Sequence, residues 1–168
     1  MEKLEVEQIL CLGDLMNTGI AKLLAAQDIP VFMIWGNNDG EKVEIVTAAH
    51  RSESRLTVSL NVYDFLTIDN RRLFLSHYND LAEPMAKSGL YDAVFYGHDH
   101  KVHKSRINNT LIINPGEICA QKTGEATMAI YDTKTNDAEI ITLEGSVTLK
   151  TDKVGQYFKD NAERLGFR

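Results

Sequence analysis

Short apolar runs that stop at small polar residues set the rhythm of the chain. Val6 to Leu12 (VEQILCL) ends at Gly13-Asp14, and Pro30 to Trp35 (PVFMIW) ends at Gly36-Asn37-Asn38-Asp39-Gly40. Runs of this length, bounded by turn residues, predict buried strands. Between them Thr18 can cap a helix through Ala26, with Ile20, Leu23 and Leu24 on one face, and Glu41 to Ala49 predicts a second helix. Strand, helix, strand, helix implies parallel strands in a layered α/β domain.

The middle of the chain changes character. Leu56 to Tyr63, Phe65 to Asp69 and Arg71 to Ser76 predict short strands, with a hairpin turn at Asp69-Asn70. The last of them ends at Ser76-His77. Leu81 to Lys87 predicts a helix that stops near Gly89. Ala93 to Tyr96 is another buried strand, ending at Gly97-His98-Asp99-His100. Leu111 to Ile113, Met128 to Tyr131 and Ala138 to Leu143 read as antiparallel strands of a second sheet. Gly155 to Leu165 predicts a C-terminal helix. The expected organisation is one domain over residues 1–145 and a C-terminal extension over residues 146–168.

Composition narrows the functional classes. At 168 residues, 43% hydrophobic and 25% charged, the chain has the makeup of a globular domain with a sizeable core. A net charge of -6 argues against stable binding to nucleic acid or an anionic membrane. It does not argue against a phosphorylated substrate, because bound cations reverse the local field. Cys11 and Cys119 make no disulfide framework, and both are expected as reduced core residues. No apolar run approaches the ~20 residues that span a bilayer. Met1 to Gln8 is acidic and has no apolar signal-peptide core, so a cytoplasmic location is expected.

The strand ends carry the chemistry. Four of them bear residues that bind metals: Gly13-Asp14, Gly36-Asn37-Asn38-Asp39, Ser76-His77 and Gly97-His98-Asp99-His100. In open α/β sheets, sites form outside the carboxyl ends of the strands, so these four would converge. Any one alone has an ordinary reading: a chance Gly-Asp pair, a turn, a satisfied histidine. Together and in order they point to a two-metal site for phosphate esters. Two divalent ions ~3.5–4 Å apart acidify a shared water and clamp the attacking and leaving oxygens. Asp14 is suited to bridge the ions. His98 and His100 can send their rings to different ions. His50 and His103 fit no such pattern and read as surface residues.

These motifs resemble those of the calcineurin-like metallophosphoesterases, in the small YfcE-type phosphodiesterase group. The resemblance rests on Gly13-Asp14, Gly36 to Asp39, His77 and Gly97 to His100, with further likeness at Lys87 to Asp92 (KSGLYD) and Asn114 to Glu117 (NPGE). It implies two packed mixed β-sheets flanked by helices, an αββα sandwich. It implies two divalent ions of Mn, Ni, Zn, Mg or Fe, and a small phosphodiester substrate cleaved by a metal-bridging hydroxide. By motif match Asp14 would bridge, Asn37, His77 and His98 would bind the second metal, and His100 the first. Asp14, Asn37 and His98 form the expected catalytic set, with Asn38 and Asn79 as expected substrate contacts.

Three departures from the group's pattern qualify this. The group opens with a strand ending in Asp-x-His, which is absent here, so the first strand and most of the first helix are expected to be missing and the chain as given is expected to be a weak catalyst. Asn38 stands where many phosphoesterases have a proton-donating histidine. Tyr78-Asn79 replaces Gly-His, adding bulk to a ligand loop. The alternative reading is a protein-binding scaffold, since the retromer subunit Vps29 resembles the same fold. Exposed sheet edges would favour a homodimer.

Overall fold

The computed structural model describes residues 5–143. In chain order the elements are β1 (Ile9–Cys11), α1 (Thr18–Ala25), β2 (Val31–Met33), α2 (Lys42–Ala49), β3 (Leu56–Val58), β4 (Tyr63–Ile68), β5 (Arg71–Ser76), a 3-10 turn (Asn79–Leu81), α3 (Ala82–Lys87), β6 (Ala93–Tyr96), β7 (His103–Ile107), β8 (Thr110–Asn114), β9 (Thr127–Asp132) and β10 (Asp137–Thr142).

Three sheets form among the described residues. β1, β2 and β3 are parallel neighbours in that order. The largest sheet has five strands in the order β4-β5-β6-β8-β7, with β5, β6 and β8 parallel and both edge strands antiparallel. β9 and β10 form an antiparallel hairpin.

Period-two alternation sorts the side chains into layers. On β2, Val31 and Met33 pack with Ala21, Ile45 and Ala48 under α1 and α2, while Phe32 and, just past the strand, Ile34 face the five-stranded sheet. Leu73, Leu75, Phe95, Leu111 and Ile113 meet them from the other side. The hairpin lies against the same core through Ala129, Tyr131, Ala138 and Ile140. The opposite face of the five-stranded sheet, with Phe74, Val94 and Ile112, is covered by Ala82 and Ala86 of α3. The result is helices, sheet, sheet, helix, the expected sandwich of mixed sheets flanked by helices.

Several local expectations change. The cap of α1 is Asn17, whose side chain accepts the N–H of Ile20, rather than Thr18. Its buried residue is Ala21; Ile20 and Leu23 are exposed, because the small alanine lets α1 approach its neighbours closely. The strand expected over Leu56 to Tyr63 ends at Val58. Leu111 to Ile113 does not join an antiparallel second sheet. It is the inner strand β8, parallel to β6, and its five buried residues fit a strand covered on both faces. β7 was not expected. Its sequence HKSRI is largely exposed and polar, as an edge strand allows. Cys11 is half-buried and Cys119 is exposed rather than in the core. The turn at Asp69-Asn70 is as expected, with φ of 49° and 63°, the left-handed pair of a tight hairpin. The expected helix at Gly155 to Leu165 and the extension over residues 146–168 lie outside the described residues. No helix among the described residues is long and apolar enough to cross a membrane.

Candidate active site

β1, β2, β5 and β6 all end on the same side of the sandwich, two from each sheet, and their loops meet there. The first pair brings Asp14 and Asn37; the second brings His77 and His98. His77 is 2% exposed. Its Nδ1 donates to the carbonyl of Leu12 at 2.8 Å, so a proton sits on Nδ1, and in that tautomer Nε2 presents a lone pair. That atom lies 2.9 Å from Oδ1 of Asn37, 3.3 Å from Nδ1 of His98 and 3.6 Å from Oδ1 of Asp14. Oδ1 of Asn37 also lies 2.9 Å from Nδ1 of His98.

The 2.9 Å approach of His77 Nε2 to Oδ1 of Asn37 is short for two acceptors. An amide oxygen, a carboxylate oxygen and an imidazole lone pair are all acceptors, and acceptors that face one another need a cation or a proton between them. Among the described residues no three His, Cys, Asp or Glu side chains form a metal cage by themselves. The cluster reaches four donors because the Asn37 amide is one of them. A set of two imidazoles, an amide and a carboxylate fits a borderline or hard divalent cation.

The backbone is bent to bring these groups together. A Cβ on Gly36 would collide with the backbone nitrogen and Oδ1 of Asp14, and with Cε1 of His77 at 2.8 Å. A Cβ on Gly13, whose φ is +96°, would meet N of Gly36 and Nδ1 of His77 at 2.7 Å each. Only glycine lets the two loops touch. Asp14, Met16, His98 and His100 all have left-handed φ, of 55°, 76°, 73° and 64°. Such non-glycine conformations are held by their surroundings and cluster at functional sites.

Asp39 supplies much of that hold. Its buried carboxylate accepts the N–H groups of Gly36 at 2.6 Å, Met16 at 2.9 Å and Asp14 at 3.1 Å. Asn38 bonds to Asp14 twice, through its backbone N–H to Oδ1 and through Nδ2 to Oδ2, each at 2.8 Å. Asn114, fully buried on β8, donates to Oδ1 of Asp99 at 2.6 Å and to the carbonyl of Gly97 at 3.3 Å, and accepts the N–H of Gly116. That fixes the loop carrying both histidines.

Of the residues expected at the site, Asp14, Asn37, His77 and His98 are brought together, and Asn38 joins them through Asp14. His100 bonds elsewhere, its Nδ1 lying 2.7 Å from Oε2 of Glu117. Asn79 is exposed at the start of the 3-10 turn. The ring of Tyr78 takes the place beside the cluster, 5.0 Å edge-on from both His77 and His98. His50 is exposed, as expected. His103 is exposed but lies within 2.7 Å of the hydroxyl of Tyr96. Asp39 and Glu117 were within quoted motifs but were not recognised as site residues. Two titrations stand out. Burial pushes the Glu117 carboxyl up, but hydrogen bonds from Thr123, His100 and Lys122 outweigh it and bring it down to about 2. Burial pushes the Cys11 thiol up to about 11, so it is no nucleophile at neutral pH.

Donor side chains gathered at the carboxyl ends of parallel strands, at the junction of two stacked sheets, occupy the position where open α/β sheets carry their sites. Comparison with known proteins agrees. Residues 1–136 match the calcineurin-like phosphoesterase superfamily domain. The chain is 32% identical over 143 residues to phosphodiesterase MJ0936 of Methanocaldococcus jannaschii, covering 83% of this chain and 84% of that protein. A solved structure described as a novel archaeal phosphodiesterase superimposes with a TM-score of 0.73 at 30% identity, over 82% of this chain and 84% of that one. Vacuolar protein sorting 29 from Cryptosporidium parvum shares the fold, with a TM-score of 0.55 at 18% identity over 86% and 84%. The chain belongs to the calcineurin-like phosphoesterase superfamily and is a phosphoric ester hydrolase by class.

Proposed function

We propose that the chain is a metal-dependent phosphodiesterase acting on a small phosphodiester. The observation that carries this reading is the meeting of acceptor atoms from Asp14, Asn37 and His77, with His98 beside them and no proton to separate His77 Nε2 from Asn37 Oδ1. A divalent cation answers that arrangement. The named activity of the archaeal relative supports a phosphodiester over other phosphate esters.

Asp14, Asn37, His77 and His98 would hold one ion, and Asp14 with His100 would contribute to a second. When bound, such ions supply an activated water and neutralise charge on the phosphoryl group. The chain's own residues prepare the place. Leu12 sets the tautomer of His77, and Asp39 pins the loops of Asp14 and Gly36. Asn38, exposed beside Asp14, has an amide that can turn to a phosphoryl oxygen. The set of nitrogen and oxygen donors suits Mn, Ni, Zn, Mg or Fe. The net charge of -6 favours a small substrate over a nucleic-acid polymer. Free thiols at Cys11 and Cys119 support a cytoplasmic location. The likeness to vacuolar protein sorting 29 concerns the fold, and the gathering of Asp14, Asn37, His77 and His98 weighs against a pure scaffold.

The test is hydrolysis of bis-p-nitrophenyl phosphate by chelator-treated protein to which metal is returned. The expected result is slow turnover that requires metal and is lost in Asp14→Asn. Turnover that persists under chelation, or that Asp14→Asn leaves unchanged, would overturn the mechanism. Metal binding without turnover, with Mn, Ni, Zn and Mg on several phosphodiesters, would move the reading to a scaffold.

A further inference from the structure

Glu117 lies on the loop after β8, outside every strand end that supplies the donor cluster. Its side chain is 4% exposed and that of His100 is 15% exposed. Oε1 receives three donors: the N–H groups of Lys122 and Thr123 and the hydroxyl of Thr123. Oε2 receives Nδ1 of His100 at 2.7 Å, with the thiol of Cys119 at 3.5 Å. The carboxylate is thus saturated and cannot turn toward the site. It faces one ring nitrogen and is braced from behind.

We propose that Glu117 is a positioning residue, fixing His100 with Nδ1 protonated and Nε2 free for a divalent metal ion. This rests on the reading of His100 as a metal ligand. A carboxylate only accepts hydrogen bonds, so the nitrogen it faces has to carry the proton. The other nitrogen of a neutral ring is then a lone pair. A carboxylate behind a ligating imidazole both orients the ring and increases its basicity. For His77 the carbonyl of Leu12 does the same work. Glu117 does it through a charge-assisted bond, which is stronger. The two loops are tied together, because Asn114 bonds to Gly97, Asp99 and Gly116 at once. The left-handed backbone at His100 is therefore locked together with the loop that carries its partner.

Glu117→Gln separates this role from a structural one. Glutamine keeps the shape and one acceptor for Lys122 and Thr123, but presents an amide N–H2 to Nδ1 of His100. The ring then accepts at Nδ1 and protonates at Nε2. Nitrogen NMR of the metal-free proteins should show the Nδ1–H tautomer of His100 in the parent and the Nε2–H tautomer in Glu117→Gln. Calorimetric titration with Mn should show affinity at the His100-dependent site weakened 10–100-fold, the loss usual for partners of metal-bound histidines. Thr123→Ala removes one of the three donors to Oε1 and leaves the bond between Oε2 and His100 in place, so it should keep the parent tautomer. Three results would count against the account. If His100→Ala leaves Mn binding intact, His100 is no ligand and the reading beneath the proposal fails. If His100→Ala weakens binding while Glu117→Gln alters neither tautomer nor affinity, the positioning role alone fails. If Glu117→Gln weakens binding further in a His100→Ala background, Glu117 acts on the fold rather than through His100.

Discussion

The two histidines of the Gly97-His98-Asp99-His100 loop stand two residues apart and meet opposite surroundings. His98 faces Asn37 and His77, where acceptors crowd together. His100 faces a carboxylate that matches its Nδ1–H. In the first, His77 Nε2 and Asn37 Oδ1 face each other at 2.9 Å, and the Nδ1 of His98 is within reach of both. The second is satisfied already, and its effect on a metal is to prepare one ligand. On the proposed metal reading, one loop would serve its ions in two ways: by adding a donor to a gathered set, or by setting the tautomer of a single ring from behind. The first should show itself when metal is removed, the second when the supporting residue is changed.

The sharpest break comes from Asp14→Asn. It removes the one anionic donor in the acceptor cluster, and we expect metal affinity and phosphodiesterase activity to fall by more than the 10–100-fold typical of outer partners; steady-state assays across a metal titration check this. Asp39→Ala comes next. It strips the acceptor from three backbone N–H groups at once, and a buried donor left unpaired costs ~1–3 kcal/mol. The melting temperature should drop and Asp14 should lose its place, so activity should fall with stability. Asn37→Ala should behave differently. Asn37 is exposed, and the metal-free protein should melt within the ~0.5 kcal/mol range of ordinary surface substitutions. What should disappear is the rise in melting temperature on adding metal, which reflects selective binding to the native state.

The smallest effect lies near the starts of β5 and β6, away from their site-bearing ends. The N–H of Arg72, then the charges of Arg72 and Arg71, outweigh a burial effect and hold Asp92 below the usual carboxylate range. A carboxylate depressed in the folded state stabilises it above the unfolded pKa and loses that contribution as pH falls through the lower, folded value. Asp92→Asn should therefore narrow the stability difference between neutral pH and pH 3, leaving metal affinity unchanged. Acid melting curves of the two proteins check it.

Much of this was legible in the sequence because glycine and apolar runs are local signals. Gly36 follows PVFMIW, and both the strand and the close approach follow from those residues. The meeting of Asp14, Asn37, His77 and His98 was legible for the same reason, since each sits at the end of such a run. What was hidden depends on residues distant in sequence. Leu111 to Ile113 were placed in the wrong sheet, although a strand buried on both faces, as β8 is, is the mark of an inner, parallel position. β7 carries no apolar alternation, and only its pairing with β8 makes it a strand. Leu23 looked like core, but Ala21 takes that place because the helix packs closely. Glu117 reaches back across 17 residues to His100, and nothing in Asn-Pro-Gly-Glu announces that reach.

The most direct measurement is calorimetric titration of chelator-treated protein with Mn, comparing the parent with His98→Ala. The account predicts a site in the parent at the Asp14, Asn37, His77 and His98 cluster, weakened at least 10–100-fold when His98 is removed. Equal affinity and stoichiometry in the two proteins would contradict it.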